Sequence, residues 1–233
     1  MRINKYLADA GIASRRKAES LVLEKRVKVN GNIVTELATD IKPDDIVFVD
    51  DKQVFTQQKF EYYILNKPKG YLSTARDDRG RKTVLDLVKS DARIYPVGRL
   101  DYDSEGLLIL TNDGELTNKL THPKHNISKT YLVNINSNIT KKEVEILQKG
   151  VVIDNYKLHE CKITIKEKTE NQTKMEVVIF EGRNREIRKM FETIDKKVVF
   201  LKRIKIENLS LGNLKRGEYR ALSQKEVDYL KNL

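Results

Sequence analysis

Apolar positions follow a helical rhythm over the first two dozen residues and short strand-like runs thereafter. Ile3, Tyr6, Leu7 and Ala10 share one helical face, and Gly11 ends the pattern. Ser14 then supplies an N-cap ahead of Arg15-Arg16-Lys17, with Ala18, Leu21 and Val22 as the inner face of a second helix. VKVNGNIVT carries the hairpin signal Asn30-Gly31, and IVFVD at 46–50 reads as a strand. Two short helices and a hairpin make a small module over residues 1–57, and the polar segment Asp50–Gln58 is expected to be its linker.

A second domain over 60–233 mixes both rhythms. Strands are expected at Tyr62–Leu65, Leu107–Leu110, Thr130–Ile135, Cys161–Lys166 and Lys174–Phe180. Helices are expected at Val84–Lys89, Lys141–Lys149, Arg185–Ile194 and Gln224–Leu230. Several strands follow one another without a helix between them, which predicts an α+β fold on a mixed, largely antiparallel sheet with flanking helices.

One stretch breaks the ordinary pattern. Between Gly98 and Leu116, the acids Asp101, Asp103 and Glu105 stand between Arg99 and the apolar run Leu107–Leu110, which Asn-Asp-Gly then stops as a turn. Carboxylates set against a buried strand lose solvation, and their pKa rises unless a cation sits beside them. Such a placement calls for a structural partner or a chemical purpose.

Charge adds a partner. The net charge is +11, which favours a polyanion, and nucleic acid is the commonest. Residues 1–28 hold eight Lys or Arg against three Asp or Glu, whereas residues 29–58 hold two against six. Arg2, Lys5, Arg15, Arg16, Lys17, Lys25, Arg26 and Lys28 therefore form a basic block around the two helices. Cations in a first helical turn are disfavoured by the helix dipole, a mild cost that an arriving phosphate offsets. The single cysteine, Cys161, forms no internal disulfide and suits a reducing cytoplasm. The N-terminus lacks an apolar signal-peptide core, and no window approaches membrane-spanning length, so a cytoplasmic protein without membrane attachment is expected.

Residues Met1–Val49 closely resemble the S4-like RNA-binding module first described in a small-subunit ribosomal protein, which implies that Arg2, Lys5, Arg15, Arg16, Lys17 and Arg26 touch RNA. GRLD at 98–101 followed by SEGLLILTNDG at 104–114 resembles the signature of bacterial rRNA pseudouridine synthases. YYILNKPKGYLS at 62–73, SKTYLV at 128–133, EGRNREIRKMFE at 181–192 and the closing LKRIKIENLSLGNLKRGEYRAL agree in order and spacing.

That resemblance implies a central active-site cleft and isomerisation of a uridine to pseudouridine, without metal or other cofactor. The bond from sugar to base nitrogen breaks, the base turns, and carbon 5 takes the nitrogen's place. The sugar side develops positive charge, which a carboxylate can stabilise or capture. The resemblance assigns the carboxylate to Asp101, its cationic partner to Arg188, and help with the carbon-bound proton to Tyr131, whose ring can also stack on an extruded base. An Arg188–Asp101 ion pair is expected. Lys67, Arg99 and Arg183 are candidate phosphate contacts or plain surface cations; Asp103 reads as a cap or solvated acid, and Glu105 has no assigned chemistry.

The motifs lie nearer large-subunit than small-subunit enzymes. A small-subunit target, a non-enzymatic assembly factor and an N-glycosidase are the alternatives. The partner is rRNA, free or in an assembly intermediate, and a monomer is expected. His122, His125, His159 and Cys161 supply four potential zinc ligands, but their spacing matches no standard finger and no zinc is expected.

Overall fold

Local chemistry sets the first helices. Helix α1 (Ile3–Asp9) buries Ile3 and Leu7, and the chain turns at Gly11 with φ +76°. Helix α2 (Arg15–Leu23) starts where the Ser14 hydroxyl accepts the Lys17 amide at 3.2 Å, and it buries Ala18, Leu21 and Val22. Strands β1 (Val27–Val29) and β2 (Asn32–Ile33) pair antiparallel across Asn30-Gly31, both at positive φ as a tight hairpin requires.

A computed structural model describes residues 1–56 and 59–233, in two compact units. The first comprises Met1–Glu61, Ser90–Ile94 and Thr111–Gly114; the second comprises Tyr62–Lys89, Tyr95–Leu110 and Glu115–Leu233. In the first, β3 (Val47–Val49) pairs antiparallel with β1, and β4 (Lys52–Val54) pairs antiparallel with β3. Strand β4 corrects the expected linker: Asp50 and Asp51 take positive φ and turn the chain back, and Val54 is buried in the module's core. Gln57 and Gln58, the rest of that linker, lie outside the described residues.

The second unit is built on one mixed sheet. Its strands are β5 (Tyr62–Lys67), β6 (Tyr95–Pro96), β7 (Glu105–Thr111), β8 (Lys129–Ile135), β11 (Lys162–Lys168), β12 (Thr173–Ile179), β13 (Val198–Ile206), β14 (Leu209–Ser210) and β15 (Tyr219–Ala221). The short pair β9 (Val152–Ile153) and β10 (Tyr156–Lys157) stands apart. The order is β11-β12-β8-β13-β7-β5-β15, with β6 and β14 paired to β7 and β13. The pairs β11–β12, β12–β8, β13–β8 and β15–β5 run antiparallel, whereas β13 and β7 run parallel.

Helices α3 (Gly114–Thr121), α4 (Lys141–Gln148), α5 (Glu186–Glu192) and α6 (Gln224–Lys231) complete the fold. Leu107 and Ile109 of β7 share one core with Leu116 and Leu120 of α3 and Val227 and Leu230 of α6. Every residue of β7 is buried, as its unbroken apolar run predicts for a central strand.

Two elements escape the sequence pattern. The Asn-Asp-Gly turn leads directly into α3, and β13 hides behind lysines that interrupt its alternation. The helix expected at Val84–Lys89 is a single 3₁₀ turn, Val84–Leu87. Where β7 meets β13, Gly106 sits at φ +111°, and a Cβ there would lie 2.1 Å from the Arg203 carbonyl oxygen. Only glycine permits this approach.

Candidate active site

The segment after β5 cradles the loop between β6 and β7. Lys67 is fully buried, and its Nζ donates to the carbonyls of Pro68 at 3.2 Å, Asp101 at 3.0 Å and Ser104 at 2.9 Å. The Ser73 hydroxyl donates to the Leu100 carbonyl and accepts the Leu100 amide, while the Gly70 amide donates to the Tyr102 carbonyl. The loop is thereby fixed through the backbone of Leu100, Asp101, Tyr102 and Ser104, and Asp101 is held at the wall of a cavity of about 310 Å³.

Lys67 is therefore not a phosphate contact, which corrects the sequence expectation: its ammonium is sealed beneath the loop and its donors face carbonyls. Burial pulls its pKa down to about 8, while the charges of Asp101, Asp103 and Glu105 act to retain its proton.

The Arg188–Asp101 ion pair is likewise corrected. Arg188 is buried on α5 and meets Asp103 instead, with Nη2 3.1 Å from Oδ2. Nη2 also donates to the Asp103 carbonyl at 3.2 Å and Nη1 to the Val198 carbonyl at 2.9 Å, so backbone on both sides fixes the guanidinium. Arg185 Nη1 lies 3.3 Å from the same carboxylate, so Asp103, still partly solvated, is shared by two arginines. Glu105 is buried in β7 and paired with Arg216 at 2.9 Å.

Tyr131 is buried on β8 and lines the cavity with Asp101. Lys129 lies two residues before it, on the same strand face, and lines the cavity as well. Burial and the charge of Arg203 lower the Lys129 pKa to about 8. Glu186, at the start of α5, is pushed upward by burial. Arg99 is exposed at the rim without an ion-pair partner among the described residues. Arg183, also exposed, stacks over Tyr156 at 3.2 Å and pairs with Glu181 at 3.2 Å. His159 reaches the same cavity; Cys161 is buried, and desolvation drives its thiol up to about 11. Among the described residues, no group of three or more His, Cys, Asp or Glu is placed to hold a metal ion.

The basic block of the first unit is largely paired. Arg2 meets Asp40 at 3.6 Å, Lys5 meets Asp9 at 3.7 Å, and Lys17 meets Glu24 at 3.7 Å. Arg26 grips Asp50 at 2.5 Å, and Lys28 holds Asp51 at 2.6 Å. Arg15 and Arg16 remain exposed in the first turn of α2, without acidic partners among the described residues.

Residues 61–193, which include the acidic loop, Tyr131 and Arg188, match the RNA pseudouridylate synthase family, and residues 1–47 match the S4 domain. The chain belongs to the RNA pseudouridylate synthase family. This synthase is 43% identical to the ribosomal large subunit pseudouridine synthase B of Bacillus subtilis strain 168, over 100% of this chain and 96% of that protein. An uncharacterized RNA pseudouridine synthase of Aquifex aeolicus is also 43% identical, over 99% of this chain and 93% of its own. A crystal structure of a pseudouridylate synthase superposes with TM-score 0.73 at 29% identity, covering 99% of both chains. The enzyme is an RNA pseudouridine synthase, and RNA is its substrate.

Sequence reasoning missed Lys129, Glu186 and Arg203 as cavity residues of the synthase. Lys129 was within reach, because it stands two positions from Tyr131 on an expected strand. Arg203 was not, because its strand was not recognised.

Proposed function

We propose that this synthase isomerises a specific uridine of large-subunit rRNA, with Asp101 as the nucleophile. The observation that carries the site reading is that Asp101 and Tyr131 line one cavity, with buried Lys67 holding the Asp101 carbonyl. The full-length likeness to a large-subunit rRNA synthase supports the target.

In this mechanism the target nucleotide leaves the RNA stack and its base lies against Tyr131. An Asp101 carboxylate oxygen bonds to ribose C1′ as the C1′–N1 bond breaks, and the bonding pair stays on the base. The base turns, C5 bonds to C1′, and the Asp101–C1′ bond opens. C5 then loses its proton, with Tyr131 assisting the transfer, and N1 ends protonated. Exposed Arg99 at the rim suits a backbone phosphate.

Pseudouridine mapping of rRNA from a strain lacking this protein tests the target. Loss of a pseudouridine from the large-subunit RNA is expected, with restoration on a transcript by the purified enzyme. Loss confined to small-subunit RNA overturns the target assignment.

The unpaired cations Arg15 and Arg16 are the RNA anchors of the first unit. Replacing both with alanine should weaken RNA binding and reduce the slope of log affinity against log salt by about 1.5. Titrations between low and physiological salt check this, and an unchanged slope removes both residues from the interface.

A further inference from the structure

Arg203 stands in the floor of the cavity with most of its donors unused. It is 4% exposed, and its Nε donates to the Leu107 carbonyl at 2.7 Å. Neither Nη1 nor Nη2 has a hydrogen-bond partner among the described residues, and Nη2 is buried away from solvent. A buried guanidinium in that condition costs free energy unless another group meets it.

Its position narrows what that group is. Arg203 of β13 is the direct register partner of Tyr131 on β8, so the two side chains stand on one sheet face and line the same cavity. A ring stacked against Tyr131 therefore presents its edge to the guanidinium. Leu201, Ile179, Ile187 and Ile206 supply apolar wall around them. A phosphate is costly to strip of water in such surroundings, and the exposed cations Arg99 and Arg185 at the opening suit it better. A neutral ring carbonyl is a better match. Arg203 is also fixed: the Gly106 approach sets its backbone and Leu107 holds its Nε.

We propose that Arg203 donates to a carbonyl oxygen of the target uracil and stabilises the negative charge that the base acquires on leaving. When the C1′–N1 bond breaks, its electron pair remains on the ring and spreads from N1 onto the carbonyl oxygens. No proton moves in that step, and Asp101 forms the compensating bond to C1′. A donor fixed before the reaction acts most strongly on charge that appears only in the transition state. The inference rests on the reading of this cavity as the uridine pocket.

Single-turnover rates on a synthetic stem-loop carrying the mapped uridine, and on the same RNA with 5-fluorouridine there, test it. Fluorine makes the base a more stable anion and a better leaving group, so it needs less help from Arg203. Arg203→Met should slow uridine turnover about a hundredfold, but cleavage of the C1′–N1 bond at 5-fluorouridine only about tenfold, with RNA affinity within a few-fold of the unaltered enzyme. Equal slowing on both substrates overturns the proposal, as does lost affinity with a lower salt slope, which marks a phosphate contact. Thermal unfolding establishes that the variant is folded. If it is not, Arg203→Lys is read by the same ratio, which must again show the larger deficit on uridine. A parent enzyme that converts no uridine removes the reading of the pocket itself, whereas a normal parent with an unchanged ratio removes only the role of Arg203.

Discussion

Asp101→Asn is expected to reduce pseudouridine formation by at least about a thousandfold while leaving RNA affinity within a few-fold. Asparagine keeps the size of the side chain and changes only its charge and nucleophilicity. The contacts that place the loop run through backbone: the Asp101 carbonyl accepts from Lys67, and the Ser104 amide donates to the Asp101 carbonyl at 3.1 Å. Both survive the substitution, so folding and the cavity persist. A single-turnover assay beside a binding titration separates the two effects. Near-normal turnover by the Asn variant would sink the nucleophile assignment. A variant with lost affinity and unchanged single-turnover rate would do the same, because it would make Asp101 a binding group.

Lys67→Met is expected to cost about 3 kcal/mol of stability and to reduce turnover more than RNA affinity. The methionine fills the space but leaves the Pro68, Asp101 and Ser104 carbonyls without their donor. The lost penalty of burying an ammonium offsets part of that damage. Denaturant unfolding gives the stability change, and an unaffected midpoint would show that the three bonds contribute nothing net. The pH dependence carries a defined sign. Lys67 releases its proton near 8 when folded, against an ordinary value of 10.5. Between those values the unfolded chain binds more protons, so the proton-linked part of this residue's contribution grows as pH rises from about 8 and levels off above 10.5, on top of the hydrogen bonds that are present throughout. The stability gap between parent and Lys67→Met should therefore widen with pH across that window.

Local rules carried much of the fold. Ser14, Gly11 and Asn30-Gly31 act within a few residues of themselves, so the first unit's helices and hairpin were legible from spacing alone. Strand β7 announced itself through an unbroken apolar run. Strand β13 did not, because Lys202, Arg203 and Lys205 break its alternation while Arg203 turns inward. The acidic stretch was recognisable as unusual, and Asp101 and Tyr131 do meet in one cavity. Which cation serves which acid was not readable, since that depends on register between segments far apart in sequence. Arg188 meets Asp103, two residues from the expected partner, because the carbonyls of Val198 and Asp103 fix its guanidinium. Lys67 read as a phosphate contact or a surface cation because nothing in its neighbourhood reports that a distant loop closes over it.

The union of β7 with β13 bears on how the enzyme is made. Arg203 and Leu107 are joined across 96 residues of chain, and β5, which ends in Lys67, pairs with β15 through Tyr63 and Ala221. Contacts of such long sequence separation form late, because the intervening chain must first lose its freedom. On the ribosome, the acidic loop leaves the exit tunnel well before the strands that complete its surroundings. The nascent chain can thus hold a finished RNA-gripping module while its catalytic pocket is still open, which delays chemistry until synthesis has passed Ala221.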